Sequence, residues 1–148
     1  MKQVLAIVGG LMAATTITLA PSPAHADGSS VVLGGYCVVA YMDAGMPMDG
    51  SAEFRSTYEG NRYHFVKAEA KAAFDKDPAK YASSVRYGAW CATALAMGKE
   101  VASDPNQFLV RDGALYLFSS ADAKAMFEED AAGMTKKADQ NWKKHMAK

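Results

Sequence analysis

An internal repeat constrains the fold of this chain more than any other feature. Residues 60–77 (GNRYHFVKAEAKAAFDKD) align with residues 113–130 (GALYLFSSADAKAMFEED) at a constant offset. The positions that match are Gly60, Tyr63, Phe65, Ala68, Ala70, Lys71, Ala72, Phe74 and Asp77 with Gly113, Tyr116, Phe118, Ala121, Ala123, Lys124, Ala125, Phe127 and Asp130. Further back, Tyr36-Cys37 falls on Trp90-Cys91 after a slip of one residue. Self-similarity of this kind predicts one supersecondary unit that is used twice.

Each half of the repeat predicts a short helix, a β-hairpin and a second helix. Residues 37–45 and 91–98 are short apolar segments that end in glycine, as expected of a helix with a glycine C-cap. Glu59-Gly60-Asn61 and Asp112-Gly113 are the predicted turns, and the second is a strong hairpin signal because both of its central residues accept positive φ. The predicted strands are residues 53–58, 62–66, 107–111 and 114–118.

The remaining helices are predicted from their caps and apolar stripes. Ser119 is expected to cap the helix of the second half. A final helix over residues 135–147 is expected to pack across the repeated unit. The apolar stripes expected to be buried are Ala70, Ala73 and Phe74, then Ala123, Met126 and Phe127, and in the final helix Ala138, Trp142 and Met146. Helices that alternate with hairpins predict an α+β fold in one compact domain, with the repeat at about 36–81 and 90–133.

The first 26 residues have the pattern of a secretory signal peptide. Lys2 supplies the positive start, residues 4–20 are uncharged and mainly apolar, and Ala24-His25-Ala26 gives the small-x-small cleavage pattern. We therefore predict cleavage after Ala26 and a folded domain over residues 27–148. Such a domain would be periplasmic or secreted, in a compartment that oxidises thiols.

The charge balance predicts which partners are absent. Without Lys2, 15 basic residues face 16 acidic ones, and the two signs are mixed along the chain. A near-neutral surface argues against nucleic acid and against an anionic membrane. We expect no membrane association after cleavage, and the sequence does not indicate which protein is a partner.

Several segments together resemble the YHS-domain proteins, small exported bacterial proteins related to the TRASH-like metal-binding modules. These segments are GGYCVVAYMDAGMPMDGSAEF, YEGNRYHFVKAEAKAAFDKDPAKYA, YGAWCATALAMGK, DGALYLF and ADQNW, which together extend from about Gly34 to Trp142. The resemblance implies the α+β fold and, from the better understood members, cysteine-based binding of heavy metals, most often copper. The tripeptide that names the family stands here as Tyr63-His64-Phe65.

The chain departs from the ligand pattern of that family. Ala40, Val66 and Ala70 stand where the metal-binding members carry cysteines. Cys37 stands where many exported members carry Asp, whereas Cys91 matches a cysteine that those members keep. Any metal function implied by the resemblance must therefore use Cys37 and Cys91.

Three interpretations of these two cysteines follow from the residues. If the two halves pack about a pseudo-two-fold axis, Cys37 and Cys91 could face each other and bind Cu(I) or another soft ion through two thiolates. A disulfide is the second interpretation, since an oxidising compartment favours it and closing so long a loop stabilises a domain by ~4 kcal/mol. The third is two separate buried thiols.

Two further residues are candidates for an auxiliary role at such a metal site. Met42, which Met46 and Met48 follow closely, offers a soft thioether. Its alternative role is ordinary packing, and we expect Met97 to be a core residue. His64 is expected on the strand face opposite Tyr63 and Phe65, as a hydrogen-bonded structural residue or as a metal ligand.

The sequence contains little that indicates catalysis. It has no Cys-x-x-Cys, no glycine-rich phosphate loop and no His-Glu-x-x-His motif. We therefore predict that the protein is not an enzyme. The first hypothesis is a periplasmic protein that binds copper or another soft metal for sequestration or delivery. The second is a disulfide-stabilised, non-catalytic structural or interaction module of the cell envelope.

Overall fold

A computed structural model describes residues 30–148. The predicted signal peptide lies outside the described residues. The helices are α1 (Ala68–Lys76), α2 (Pro78–Ser84), α3 (Ala92–Ala96), α4 (Ala121–Glu129) and α5 (Ala131–Met146), and the strands are β1 (Ser51–Tyr58), β2 (Asn61–Phe65), β3 (Asp104–Arg111) and β4 (Ala114–Phe118). The strands form two antiparallel hairpins, so the prediction of an α+β fold is confirmed.

The two hairpins have the same register. Within β1–β2, Ser51 pairs with Phe65 and Tyr58 with Asn61; the pairs Asp104–Phe118 and Arg111–Ala114 of β3–β4 lie 53 residues further along the chain. Each hairpin also has an irregularity at the same place, after its first pair. The first pair, beyond this irregularity, extends β1 and β3 to Ser51 and Asp104, before the predicted starts at residues 53 and 107.

Both hairpin turns use two residues of positive φ, as predicted for Asp112-Gly113. Glu59 and Gly60 have φ of 49° and 76°, and Asp112 and Gly113 have φ of 52° and 73°. This backbone matches the right-handed twist of the flanking strands and closes a tight hairpin. The two hairpins therefore match in turn and in register. The use of one unit twice stays a prediction from the sequence.

The helix starts differ from the predictions at two positions. Ser120, not Ser119, caps α4 by accepting the N–H of Ala123. Helix α5 begins at Ala131, four residues before the predicted start, because the Asp130 carboxylate accepts the N–H of Gly133. A carboxylate at this position satisfies a donor that helix geometry leaves free.

The two short helices both end at a glycine. In the first half the helix is a π-helical segment, Ala40–Ala44, and Gly45 follows it in the left-handed conformation with φ of 64°. In the second half α3 is followed by Met97 and then by Gly98 at φ of 76°. Glycine accepts this conformation without the steric cost of a Cβ.

Two hydrophobic clusters form the core. The first cluster contains Leu33, Cys37, Val38, Val39, Ala40, Tyr41, Tyr63, Phe65, Ala70, Phe74, Tyr81, Leu115 and Leu117. The second cluster contains Tyr87, Cys91, Ala92, Leu95, Ala96, Ala114, Tyr116, Phe118, Phe127, Ala131 and Ala138. Strand β4 contributes to both, since its side chains alternate between its two faces.

Three methionines expected in the core lie at the surface instead. Met97, Met126 and Met146 are all exposed. Met97 follows the end of α3, where the chain leaves the core, and Met126 and Met146 lie at the edges of their helical stripes. The predicted stripes are correct for Phe74, Phe127 and Ala138, which are buried.

Within residues 30–148, no helix is both long enough and apolar enough to cross a membrane.

Candidate functional site

Two loops at matched positions carry an unusual backbone. Leu33, Gly34 and Gly35 have φ of 57°, 62° and 98°, and Tyr87, Gly88 and Ala89 have φ of 55°, 55° and 71°. We call these segments the first and second left-handed loops. Three of the six residues are not glycine, and a side chain in this region costs of order 1–3 kcal/mol. Strain of this kind persists only where the surroundings impose it, and it is concentrated at binding sites.

Leu33 and Tyr87 are held in this conformation by burial and by hydrogen bonds. Each side chain is buried, Leu33 in the first cluster and Tyr87 in the second. The hydroxyl of Tyr87 donates to the Asp139 carboxylate at 2.9 Å. Burial, and then this carboxylate, raise the pKa of the Tyr87 phenol.

Matched residues also tie each loop to the strand that follows it. The N–H of Gly50 donates to Gly35 O at 2.9 Å, and the Ser103 hydroxyl donates to Ala89 O at 2.6 Å. A Cβ on Gly50 would lie 2.6 Å from both Gly35 O and the His64 carbonyl carbon, so only glycine fits there.

The two loops lie side by side and border a groove. Its volume is about 380 Å³, and it is lined by Leu33, Gly34, Tyr36, Gly88, Ala89, Trp90, Ala102, Ser103, Pro105 and Leu117. No charged residue lines it, and its two aromatic residues, Tyr36 and Trp90, occupy matched positions. We call this the inter-loop groove.

The groove wall is stabilised by contacts between the two halves. Tyr41, which is fully buried, donates its hydroxyl proton to Pro105 O at 2.7 Å. Its ring meets the ring of Phe108 edge-on with centroids 5.0 Å apart. Burial raises the pKa of the Tyr41 phenol, with smaller contributions from Tyr36 and two carboxylates, so the phenol is a stable donor at neutral pH. Pro105 is therefore held in place from the first half.

The structure does not bring Cys37 and Cys91 into one cluster. Both are free thiols with no exposed surface. Cys37 belongs to the first cluster and Cys91 to the second. The Ser119 hydroxyl lies 3.5 Å from the Cys91 sulfur in donor geometry. Among residues 30–148, no group of three or more His, Cys, Asp or Glu side chains is placed to hold a metal.

The two auxiliary candidates are a methionine beside the first cluster and a histidine on β2. Met42 packs half-buried against the first cluster. His64 lies on the strand face predicted for it, and its buried Nε2 has no hydrogen-bond partner within residues 30–148. Burial, and then Arg62 and Arg55, lower the pKa of His64, so its imidazole is held neutral.

Comparison of the chain with protein-family models, with curated proteins and with solved structures found no match.

Sequence reasoning did not find the inter-loop groove. A signal was present in the repeat itself, since Leu-Gly-Gly-Tyr-Cys (33–37) matches Tyr-Gly-Ala-Trp-Cys (87–91) at the same one-residue slip as the cysteines. Glycines in front of an aromatic residue in both halves indicate loops that need positive φ. The cysteines drew attention to the same segments, but the adjacent Tyr36 and Trp90 line the groove.

Proposed function

We propose that this protein is a non-catalytic binding module that holds an uncharged, planar and mainly apolar ligand in the inter-loop groove. The observation that carries the proposal is the position of Tyr36 and Trp90, which line one groove from matched places in the two halves. Aromatic side chains of this kind bind flat apolar groups by stacking and burial, and each also has one polar hydrogen for an acceptor on the ligand.

The residues that line the groove favour an uncharged ligand. A charged group would lose its hydration on entry and would find no opposite charge among the residues that line the groove. The same lining argues against catalysis, because it offers no carboxylate, imidazole or amine to move a proton. A binding role therefore fits the chemistry of the groove better than an enzymatic one.

The size of the groove limits the ligand to a small molecule or to part of a larger one. Ligand pockets in proteins commonly have volumes of about 300–1,000 Å³, and about 380 Å³ lies at the lower end of that range. The strained loops support the same role, since such a backbone fixes the groove before the ligand arrives.

We propose that the module acts outside the cytoplasm, as the predicted signal peptide implies. The two-cysteine copper site and the disulfide stay predictions from the sequence and from its resemblance to the YHS-domain proteins. The burial of Cys37 and Cys91 in different clusters supports instead the interpretation of two separate thiols.

Two dyes with the same ring system test the groove. N-phenyl-1-naphthylamine is neutral, whereas 8-anilinonaphthalene-1-sulfonate carries a negative charge on the same rings. We expect the neutral dye to bind the folded protein with saturable 1:1 stoichiometry and at least about tenfold more tightly than the charged dye. Fluorescence titration gives both dissociation constants.

Matched variants locate the bound dye. Trp90→Ala should weaken binding of the neutral dye at least about tenfold, since stacking and burial on the indole are lost. Met126→Ala, which changes an exposed apolar residue on α4, should leave binding unchanged. Equal affinity for both dyes, or equal loss in both variants, would refute the proposal.

A further inference from the structure

Helix α5 covers the second half of the molecule at positions that are open in the first half. In the second half, Trp142 Cη2 lies 3.2 Å from where a Cβ on Gly88 would be, and Asn141 Nδ2 lies 4.0 Å from where one on Gly98 would be. At the matched glycines of the first half, Gly34 and Gly45, no atom of residues 30–148 beyond the chain neighbours comes within 4 Å of that point.

The difference arises from the lengths of two matched helices. Helices α2 and α5 begin 53 residues apart, each after a capping aspartate. Helix α2 ends after seven residues because the chain turns into the second half, whereas α5 continues for 16. The first half therefore lacks the part of the helix that covers the second half.

The contacts of α5 with the second half show how a helix is bound over α3 and the loop that follows it. Asn141 Nδ2 donates to Leu95 O at 2.8 Å, at the end of α3. The Trp142 ring meets the Tyr87 ring edge-on with centroids 6.1 Å apart. At the end of the helix, His145 and Lys148 contact the Glu100 carboxylate at 2.7 Å and 3.3 Å. An amphipathic helix with an aromatic residue and a basic end therefore fits over a short helix and the Glu100 carboxylate of the loop that follows it.

Among residues 30–148, the corresponding face of the first half has no counterpart of α5 over it. It consists of Met42, Met46 and Met48 with the carboxylates of Asp43 and Asp49, and we call it the methionine face. Met46 and Met48 are 54% and 39% exposed. Asp43 accepts from the Tyr81 hydroxyl at 2.7 Å and lies 3.9 Å from the exposed Lys80 ammonium, while Asp49 is exposed.

We propose that the methionine face docks an amphipathic, basic helix of a partner protein, in the way that α5 docks on the second half. Unbranched thioether side chains adapt to the surface of an incoming helix and suit this use. The exposed Asp49 would pair with a basic residue of the partner, as Glu100 pairs with His145 and Lys148 of α5, although the two carboxylates do not hold matched positions. The partner helix is not α5 of a second copy, because that helix is already seated on its own chain.

A peptide with the sequence of residues 131–148 serves as the probe, since it is the helix that fits the matched face. It carries five lysines and one aspartate. It is added to the full mature chain labelled with ¹³C at the methionine methyl groups. We expect saturable shifts at the methyl groups of Met42, Met46 and Met48 and none at Met126.

Matched variants and a second peptide make the test decisive. Met46→Lys should weaken binding at least about tenfold, while Met126→Lys, at an equally exposed methionine, should not change it. A peptide of the same composition in scrambled order should bind at least tenfold more weakly. Equal shifts with the scrambled peptide would show that charge attraction alone accounts for binding, and they would overturn the proposal. Shifts confined to Met97, Met134 and Met146 would show exchange with the protein's own α5 and would also overturn it.

Discussion

Cys37 and Cys91 hold matched positions in the backbone and lie in different hydrophobic clusters. Each donates its N–H at 2.9 Å to the loop beyond the following helix, Cys37 to Met48 O and Cys91 to Val101 O. Their side chains are both fully buried, one in each cluster. The same local fold thus buries each sulfur in a different hydrophobic cluster.

This arrangement predicts two thiols that react only when the chain opens. A reagent such as 5,5′-dithiobis(2-nitrobenzoate) should modify the native protein at least about a hundredfold more slowly than the protein in guanidinium chloride, since access requires unfolding. In the denaturant, without reductant, two thiols should be counted. Cys37→Ala and Cys91→Ala should each leave one.

Other thiol counts would support the other interpretations. No thiol in the denaturant would establish a disulfide. A single Cu(I) ion that protects both thiols, and that neither single variant binds tightly, would establish the two-cysteine metal site.

A second prediction compares alanine at the matched glycines Gly34 and Gly88. Both have positive φ, so either substitution should cost about 1–2 kcal/mol for a Cβ in the left-handed region. At Gly88 the new Cβ would also meet Trp142 Cη2 at 3.2 Å, whereas at Gly34 it would meet nothing within 4 Å. Gly88→Ala should therefore lower the free energy of unfolding by roughly 1 kcal/mol more, as overpacking does. Guanidinium unfolding followed by circular dichroism measures both, and equal losses would show that α5 is not seated on the second loop.

The third prediction concerns acid stability and His64. Burial and the nearby arginines lower the pKa of His64 in the folded chain. Its contribution to stability is then complete above the unfolded pKa of about 6.5, and it is lost as the pH falls through the lower, folded value. His64→Leu, which introduces the residue found at matched Leu117, should reduce this loss and remove an unpaired buried nitrogen.

Unfolding free energies of the wild type and His64→Leu at pH 7 and pH 5 test the prediction. The wild type should lose more stability between the two values. An equal loss in both proteins would show that His64 does not control the fall in unfolding free energy between pH 7 and pH 5.

The fourth prediction concerns alkaline stability and the bond between Tyr87 and Asp139. The pKa of Tyr87 is higher in the folded chain than its unfolded value of about 10, so folding favours the neutral phenol. That contribution is present in full below pH 10 and is lost as the pH rises through the folded value. Tyr87→Phe should lower the unfolding free energy at pH 8 by about 1 kcal/mol, through the lost hydrogen bond, and should flatten the loss above pH 10.

Asp139→Asn gives the control for the charge of that bond. The amide oxygen can still accept from the phenol, but the carboxylate that disfavours the phenolate is gone. This variant should therefore keep more of its stability above pH 10 than the wild type does. If all three proteins lose the same unfolding free energy above pH 10, the bond between Tyr87 and Asp139 does not control alkaline stability.

The hairpins could be predicted from the sequence because their signals are local. Asp112-Gly113 specifies the turn, and the apolar residues on either side specify the strands, so the predicted bounds of β4 agree with the structure. Helix starts were less accurate, since Ser119 and Ser120 can both cap a helix and only the course of the chain selects Ser120.

The candidate site could not be predicted in the same way, because it arises from two loops that are distant in the chain. The aromatic residues Tyr36 and Trp90 carry no sign that they share a groove until the halves are packed together. The repeat suggested that matched residues near a pseudo-two-fold axis would approach one another. We applied this reasoning to Cys37 and Cys91. Their side chains turn into the two cores, whereas those of the preceding aromatic residues line the groove between them.

Strand β4 ties the two halves into one cooperative unit. Leu115 and Leu117 complete the first cluster, while Ala114, Tyr116 and Phe118 complete the second. A chain cut before residue 85 would lose one wall of its own core and expose the surface that β4 now covers. A fragment that ends there would therefore be less stable than the same residues in the whole chain, because apolar side chains of the first cluster would be left in water.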